Sequence, residues 1–362
     1  MKRKDILLIG CGRIGFLLEN DPLRNKPCTH AGGALSAGLT ITHAVDLSPQ
    51  RLEAFRRKYR LSGENCYTDY REALKKTAPR LVIIATWTES HADIAIAAAR
   101  AGTPVIVLEK PIAPSLFDAR RLLRACEKYG TALVINHERR YDPRYRKVKS
   151  LIEADKIGTL KSINGSILTG PYRGPSRISE GGGPLLHDGT HLVDIISFFG
   201  GKFTRVSGNF SREERKTGYE DRATAWLKTE RGIDVFIEAG GSREFFQFEV
   251  ILSGTKGKIT IGNGYQFLYT ATASRLYKGF RDLKEANFPS IPEGNCFTSL
   301  YREVKKLMLG KDIAIASSGL DGYEALQTVH AVYLSSYRDG KMVKLPLGER
   351  SVNLKKIFEI HD

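Results

Sequence analysis

Two periodicities divide the chain. Over residues 5 to 135, short uninterrupted apolar runs alternate with amphipathic stretches: ILLIG (6–10), ITHAVD (41–46), LVIIAT (81–86), VIVLE (105–109) and ALVIN (132–136). Runs this short, rich in Val and Ile and closed by small or polar residues, read as strands buried on both faces. Between them, SPQRLEAFRRKY and SLFDARRLLRACEKYG carry helical spacing, the first with Ser48 as N-cap and Pro49 behind it. Repeated strand–helix–strand units predict a doubly wound parallel sheet over residues 1–134.

From about residue 150 the pattern becomes long alternating segments, among them LKSINGSILTG, DRATAWLKTERGIDVFIEAG and FQFEVILSGTKGKITIG. Turn signals at Arg231-Gly232 and Lys256-Gly257 separate strand pairs, so residues 135–362 are expected to form a second domain around a largely antiparallel sheet. Helical segments at 184–199, 294–309 and 320–338 are expected to cover one face of that sheet, leaving the other to solvent or another subunit.

Composition narrows the class. The 362 residues are 41% hydrophobic and 27% charged, as in ordinary folded proteins, and no apolar run reaches the length of a membrane span. The start MKRKDILLIGCGRIG is broken by Asp5 and glycines before a signal core forms, which gives a cytoplasmic expectation. Five scattered cysteines without a CxxC pair read as free thiols. A net charge of +16 would attract anions, but the basic residues come as short pairs spread over helices, so neither a nucleic-acid nor a membrane partner is expected.

GCGRIG follows the first strand directly and opens what reads as a helix. Gly10 would permit the tight turn, Gly12 the approach of a pyrophosphate, and Gly15 close helix–strand packing, with Arg13 and Ile14 between them. The bland alternative is glycines serving a turn alone. The second strand ends in Asp46, suited to a ribose diol, although NDPLRNKPCTHAG lengthens the usual spacing. An acid there favours NAD, while Arg51 keeps NADP open. LEKP places Glu109 and Lys110 at the carboxyl end of the VIVLE strand, where open parallel sheets bind ligands and where an ammonium can exchange a proton with a substrate hydroxyl.

GGGPLLHDGTHLVD, read as one helix from Pro184, puts His187, His191 and Asp194 at i, i+4 and i+7 as a polar stripe on an apolar helix. HDGTH imitates the zinc motif H-E-x-x-H, but it lacks the Glu and a third ligand, so no metal is expected. A solvated helix face is the remaining alternative.

GCGRIG, EKP, GGGPLLHDGTHLVD and a C-terminal GLDGYEALQTVHAVYLSSYRDGKMVKLP together resemble the Gfo/Idh/MocA oxidoreductases, over nearly the whole chain from Ile6 to about Pro346. The resemblance implies a Rossmann domain followed by an α/β domain with a large, open, mostly antiparallel sheet that builds homodimers or homotetramers. It implies reversible oxidation of a secondary alcohol on a sugar, sugar derivative or inositol. Gly10, Gly12, Gly15 and Asp46 match its cofactor loop and ribose acid, and Thr86 and His91 its cofactor-side loop. Lys110 matches its catalytic lysine, with Glu109 beside it, and His191 the histidine that assists proton transfer. Many relatives carry Asp four residues before that histidine; here His187 stands there, with Asp188 next to it. His187 joins the catalytic candidates, and Asp188, Arg140 and His191 are the substrate-binding ones. Arg139, Arg144, Arg173 and Arg177 add basic groups for an anionic substrate. Two alternative functions stand beside the dehydrogenase: an NAD-retaining glycoside hydrolase and a non-catalytic nucleotide-binding protein.

Overall fold

The computed structural model describes residues 5–170, 182–212 and 218–359. The chain divides into two compact units, Met1–Asp142 with Gly294–Tyr323, and Pro143–Glu293 with Glu324–Asp362. A single cut after residue 134 does not produce these units, since the first returns for Gly294–Tyr323.

The first unit is built on strands β1 (Ile6–Ile9), β2 (His43–Val45), β3 (Cys66–Tyr67), β4 (Leu81–Ile84), β5 (Val105–Leu108) and β6 (Ala132–Ile135). They form one all-parallel sheet in the order β3-β2-β1-β4-β5-β6. Every residue of β1, β4 and β5 is buried, which is why these strands read as unbroken apolar runs. Helices α1 (His30–Ser36), α2 (Pro49–Tyr59), α3 (Tyr70–Thr77), α4 (Thr88–Arg100) and α5 (Leu116–Tyr129) connect them. Ser48 caps α2 by accepting from the Arg51 amide, as its sequence position predicts.

The second unit carries α6 (Pro143–Glu153), β7 (Leu160–Leu168), α7 (Pro184–His187), α8 (Gly189–Gly200), β8 (Phe203–Ser211), β9 (Arg222–Thr229), β10 (Asp234–Gly240), β11 (Gln247–Gly254), β12 (Gly257–Gly262), β13 (Gln266–Ala273) and β14 (Arg281–Ala286). After α9 (Cys296–Met308), which lies in the first unit, come α10 (Gly319–Tyr337), β15 (Val343–Lys344) and α11 (Leu354–Glu359). The nine strands of the second sheet run β14-β13-β12-β11-β7-β10-β9-β8-β15 and pair antiparallel except for β7 with β10. Strict alternation of burial along β9 places Ala223, Ala225 and Leu227 inward and Thr224 and Trp226 outward. On the inward face, α8 approaches so closely that a Cβ at Gly165 would meet Ile196 and Leu192 at under 3 Å. The outward face holds an open depression of about 550 Å³ lined in part by Asn164, Trp226, Phe236, Glu238 and Glu249; no expected site residue lines it.

The helix expected at 294–309 over this second sheet is a correction. It forms as α9 but packs on α1 in the first unit. Gly33 of α1 lacks the side chain that would collide with Phe297, whose Cβ lies 2.7 Å from the position of a Cβ there. Phe297 and Tyr301 complete that unit's apolar core beside Phe16, Phe55 and Tyr141.

Candidate functional site

The glycine loop separates three glycines by what presses on them. Gly10 has φ +101°, and a Cβ there would lie 2.5 Å from Ala85 O. At Gly15 a Cβ would lie 2.2 Å from Gly10 O, so loop and following turn could not close. Gly12 faces open space, with nothing within 4 Å of an added Cβ. Two of the glycines are thus required by the protein's own packing, and the third leaves a cradle that fits a pyrophosphate against bare backbone. Arg13 between them is exposed, and Ile14 leans on the core.

The loop does not open directly into a long helix. Leu17 N–H and Leu18 N–H reach back to Gly12 O and Arg13 O, a short 3₁₀ turn covers Leu17–Asn20, and the chain then swings out through Asp21–Cys28. It re-enters at α1, where His30 N–H donates to Ile14 O and Ala31 N–H to Gly15 O. Glu19 ties the excursion shut by accepting from Cys28 N–H and Thr29 Oγ1. The additional residues therefore split the first helix rather than lengthen it.

Asp46, 6% exposed, is oriented at the end of β2. Its Oδ2 accepts from Cys11 N–H and its Oδ1 from Ser48 N–H, each at 2.7 Å, and the half-exposed Arg51 guanidinium binds both oxygens. After β4, Thr86 Oγ1 accepts from Ser90 Oγ. His91 is a strut: Nδ1 lies 2.8 Å from Pro111 O and Nε2 3.1 Å from Thr86 O. Burial, offset only in part by those two carbonyls, holds its pKa below the usual histidine range, so the ring is neutral and donates to only one of the two, packed between the Thr86 loop and the segment after Lys110.

Glu109 and Lys110 follow β5. Lys110 is partly buried, and its backbone N–H donates to Glu109 Oε2 at 3.3 Å. Burial would raise the Glu109 pKa, but the hydrogen bond and charge of His30, together with Lys110 and Asn136, outweigh it and bring the carboxyl down to about 2. His30, Asn136 and Tyr301, which lies 2.7 Å from His30 Nδ1, are site-adjacent residues that the sequence reading missed. His30 lies in a segment read there as an insertion, and its partners stand 79 and 271 residues away, so no local spacing reveals the cluster.

In the second unit the expected single helix from Pro184 is corrected to two. Helix α7 ends at His187, Asp188 takes φ −103° and ψ −36°, and α8 starts at Gly189. Asp-Gly is a turn signal, and Gly189 is tightly held: a Cβ there would lie 2.9 Å from Leu185 Cδ1. The stripe is not solvated either, because His191 and Asp194 are buried, at 8% and 1% exposure. Only His187 and Asp188 reach solvent, paired through His187 Nδ1 and Asp188 Oδ1 at 2.8 Å. Beneath α7, buried Glu220 accepts from Leu185 N–H at 2.8 Å and Tyr333 O–H at 2.9 Å. Burial pushes its carboxyl up to about 7 in spite of those bonds. Glu220 was also missed, since nothing in its sequence surroundings marks a helix partner 35 residues before it.

Of the arginines, Arg140 is buried and its Nη1 donates to Ala316 O and to Asp321, so that it braces the segment after β6. Arg139 pairs with Glu138, and Arg144 lies over the Tyr145 ring. Arg173 and Arg177, with Gly181, lie outside the described residues. Among the described residues no cluster of three His, Cys, Asp or Glu could hold a metal.

An all-parallel sheet whose first loop is open at its central glycine, with an oriented acid on β2 and a lysine at the end of β5, defines a dinucleotide-dependent oxidoreductase. The chain belongs to the GFO/IDH/MocA family: residues 4–137 match its oxidoreductase domain with an NAD-binding Rossmann fold, and residues 145–260 its C-terminal domain. It is 28% identical to the D-apiose dehydrogenase of Paraburkholderia graminis over 361 residues, covering 95% of this chain and 90% of that one. It is also 28% identical to the inositol 2-dehydrogenase of Salmonella typhimurium LT2, over 69% of this chain and 71% of the relative. In fold it is similar to the WlbA dehydrogenase from Bordetella pertussis, solved with NADH and UDP-GlcNAcA, with a TM-score of 0.77 and 22% identity over 96% of this chain and 100% of that one.

Proposed function

We propose that the chain oxidises a secondary alcohol of a sugar, sugar derivative or inositol, or reduces the matching ketone, using NAD. The observation that carries this reading lies at the carboxyl ends of β1, β4 and β5, where the open Gly12 cradle, the Thr86 loop and Lys110 belong to one sheet edge. In this reading Gly10–Gly15 and Asp46 hold the dinucleotide, and Arg51 gives up part of its hold on Asp46 to the ribose hydroxyls. The bound nicotinamide supplies the hydride acceptor. Lys110 and His191 share removal of the hydroxyl proton, and His187 with Asp188 contacts the substrate. Arg139 and Arg144 extend basic character toward a phosphorylated or carboxylated substrate, in keeping with the net charge of +16, and Arg140 joins them only by giving up its pair with Asp321.

The enzyme is further proposed to act in the cytoplasm as a homodimer or homotetramer. Five free cysteines suit a reducing compartment, and among the described residues no helix is long and apolar enough to cross a membrane. The outward face of the second sheet, with Phe236 49% and Phe267 39% exposed, is the surface a second copy would cover.

The test is NADH fluorescence after mixing protein and NAD with D-apiose, myo-inositol, scyllo-inositol, sugar phosphates and UDP-N-acetylglucosaminuronic acid, with Lys110→Ala alongside. A lysine-dependent signal identifies the substrate class. Turnover by Lys110→Ala at the wild-type rate overturns the role given to Lys110, and protein that binds no NAD overturns the whole reading.

A further inference from the structure

Beside the residues just assigned, the first unit contains a buried polar chain that terminates on Lys110. Tyr301 Oη lies 2.7 Å from His30 Nδ1, His30 Nε2 lies 2.8 Å from Glu109 Oε1, and Glu109 Oε2 accepts from the Lys110 amide. Asn136 Nδ2 also donates to Glu109 Oε1. Tyr301 and His30 are fully buried, and Glu109 and Asn136 nearly so.

An ionised carboxylate only accepts, so His30 Nε2–H donates to Glu109, and Nδ1 lies within hydrogen-bond reach of the Tyr301 hydroxyl. Burial and the nearby Glu109 charge hold that phenol well above its usual range, so it stays protonated. On the other flank of Lys110, His91 Nδ1 lies 2.8 Å from Pro111 O. An apolar cluster would fill this space without the cost of desolvating a carboxylate. A purely packing role therefore gives no reason for an ionised group to be kept here, and kept ionised by three donors.

We propose that His30 and Tyr301 are positioning residues for Lys110: through Glu109 they fix the backbone from which its side chain leaves the end of β5. The inference rests on the reading of Lys110 as the proton-exchanging group. His30 and Tyr301 touch neither substrate nor cofactor in this scheme.

The experiment uses the full chain with the polyol that gives the strongest NADH signal, comparing His30→Ala, His30→Gln, Tyr301→Phe and Lys110→Ala. Misplacing a reacting group by about 1 Å costs roughly 100-fold, so His30→Ala should lose about 30- to 100-fold in kcat with NADH affinity and KM within about threefold of wild type. His30→Gln, which keeps an N–H donor toward Glu109, should recover about tenfold of that loss, and Tyr301→Phe should lose only about threefold. Amide exchange at Lys110 in the NADH-bound protein should quicken about tenfold or more in His30→Ala while β1 stays protected.

A His30→Ala enzyme with wild-type kcat overturns the proposal, as does a loss of turnover matched by the loss of NADH affinity or left unrestored by Gln. Where His30→Ala does not fold, unchanged kcat in both His30→Gln and Tyr301→Phe overturns it. Lys110→Ala separates the two levels. An active Lys110→Ala enzyme removes the proton-exchange reading and this inference with it, whereas an inactive one beside a fully active His30→Ala removes the positioning alone.

Discussion

Gly12→Ala and Gly15→Ala, separated by two residues, should fail in opposite ways. At Gly15 the added methyl would lie 2.2 Å from Gly10 O, a backbone atom with no side-chain freedom to yield. Relieving an overlap of that kind costs about 1–3 kcal/mol. At roughly 2–4 °C per kcal/mol for chains of a few hundred residues, the melting temperature should fall by several degrees. At Gly12 the methyl meets no protein atom within 4 Å, and the backbone there is not in the left-handed region. Loss of unfolded-state freedom should leave stability unchanged or raised by about 0.4–1 kcal/mol. The same methyl occupies the space proposed for the pyrophosphate, and NADH should bind about 10- to 100-fold more weakly, or roughly 1.4–3 kcal/mol. Thermal unfolding without nucleotide and fluorescence titration with NADH read the two effects separately. Wild-type NADH affinity in Gly12→Ala would refute the cradle, and an unchanged melting temperature in Gly15→Ala would refute the packing argument.

Glu220 makes stability depend on pH. Its folded pKa of about 7 lies above the ordinary carboxyl value, so between about pH 4.5 and 7 the unfolded chain loses this proton first and stability falls as pH rises. The full effect is on the order of 3 kcal/mol. Glu220→Gln keeps the acceptor for Leu185 N–H and Tyr333 O–H and should flatten that slope in urea unfolding; an unaltered slope counts against it. Arg140→Ala removes a buried partner of Asp321 and should cost about 2–4 kcal/mol. If Arg140 only braces, KM for the polyol stays within about twofold while stability drops, and a KM rise of about tenfold or more assigns it to the substrate instead.

The two sheets were legible because their strands announce themselves through different burial. LVII and VIVL are covered on both faces and read as solid apolar runs, while RATAWLKT is covered on one and alternates. The glycine spacing was equally legible, although only Gly15 answers to a neighbour within the loop, while Gly10 is pressed by Ala85 from the end of β4. What stayed hidden depends on distance along the chain. Periodicity shows that residues 296–308 form an amphipathic helix, but the apolar stripe carries no label for the surface it covers; Gly33, some 260 residues earlier, decides that. His30 was hidden for the same reason, sitting in what reads as an insertion while its partners come from β5 and α9. The break at Asp188 had a local signal, the Asp-Gly pair, which helical spacing on either side overrode.

The return of Gly294–Tyr323 to the first unit bears on how the protein is made. A ribosome adding roughly 5–20 residues per second completes the parallel sheet long before α9 is synthesised. Until α9 emerges, Gly33 and the His30 ring have no Phe297 or Tyr301 over them, and the apolar surface meant for that helix faces water. The nucleotide-binding half is thus first in the message but among the last parts to be finished. A fragment ending at Asp142 should be poorly soluble for that reason, and one that regains residues 294–323, even as a separate piece, should recover.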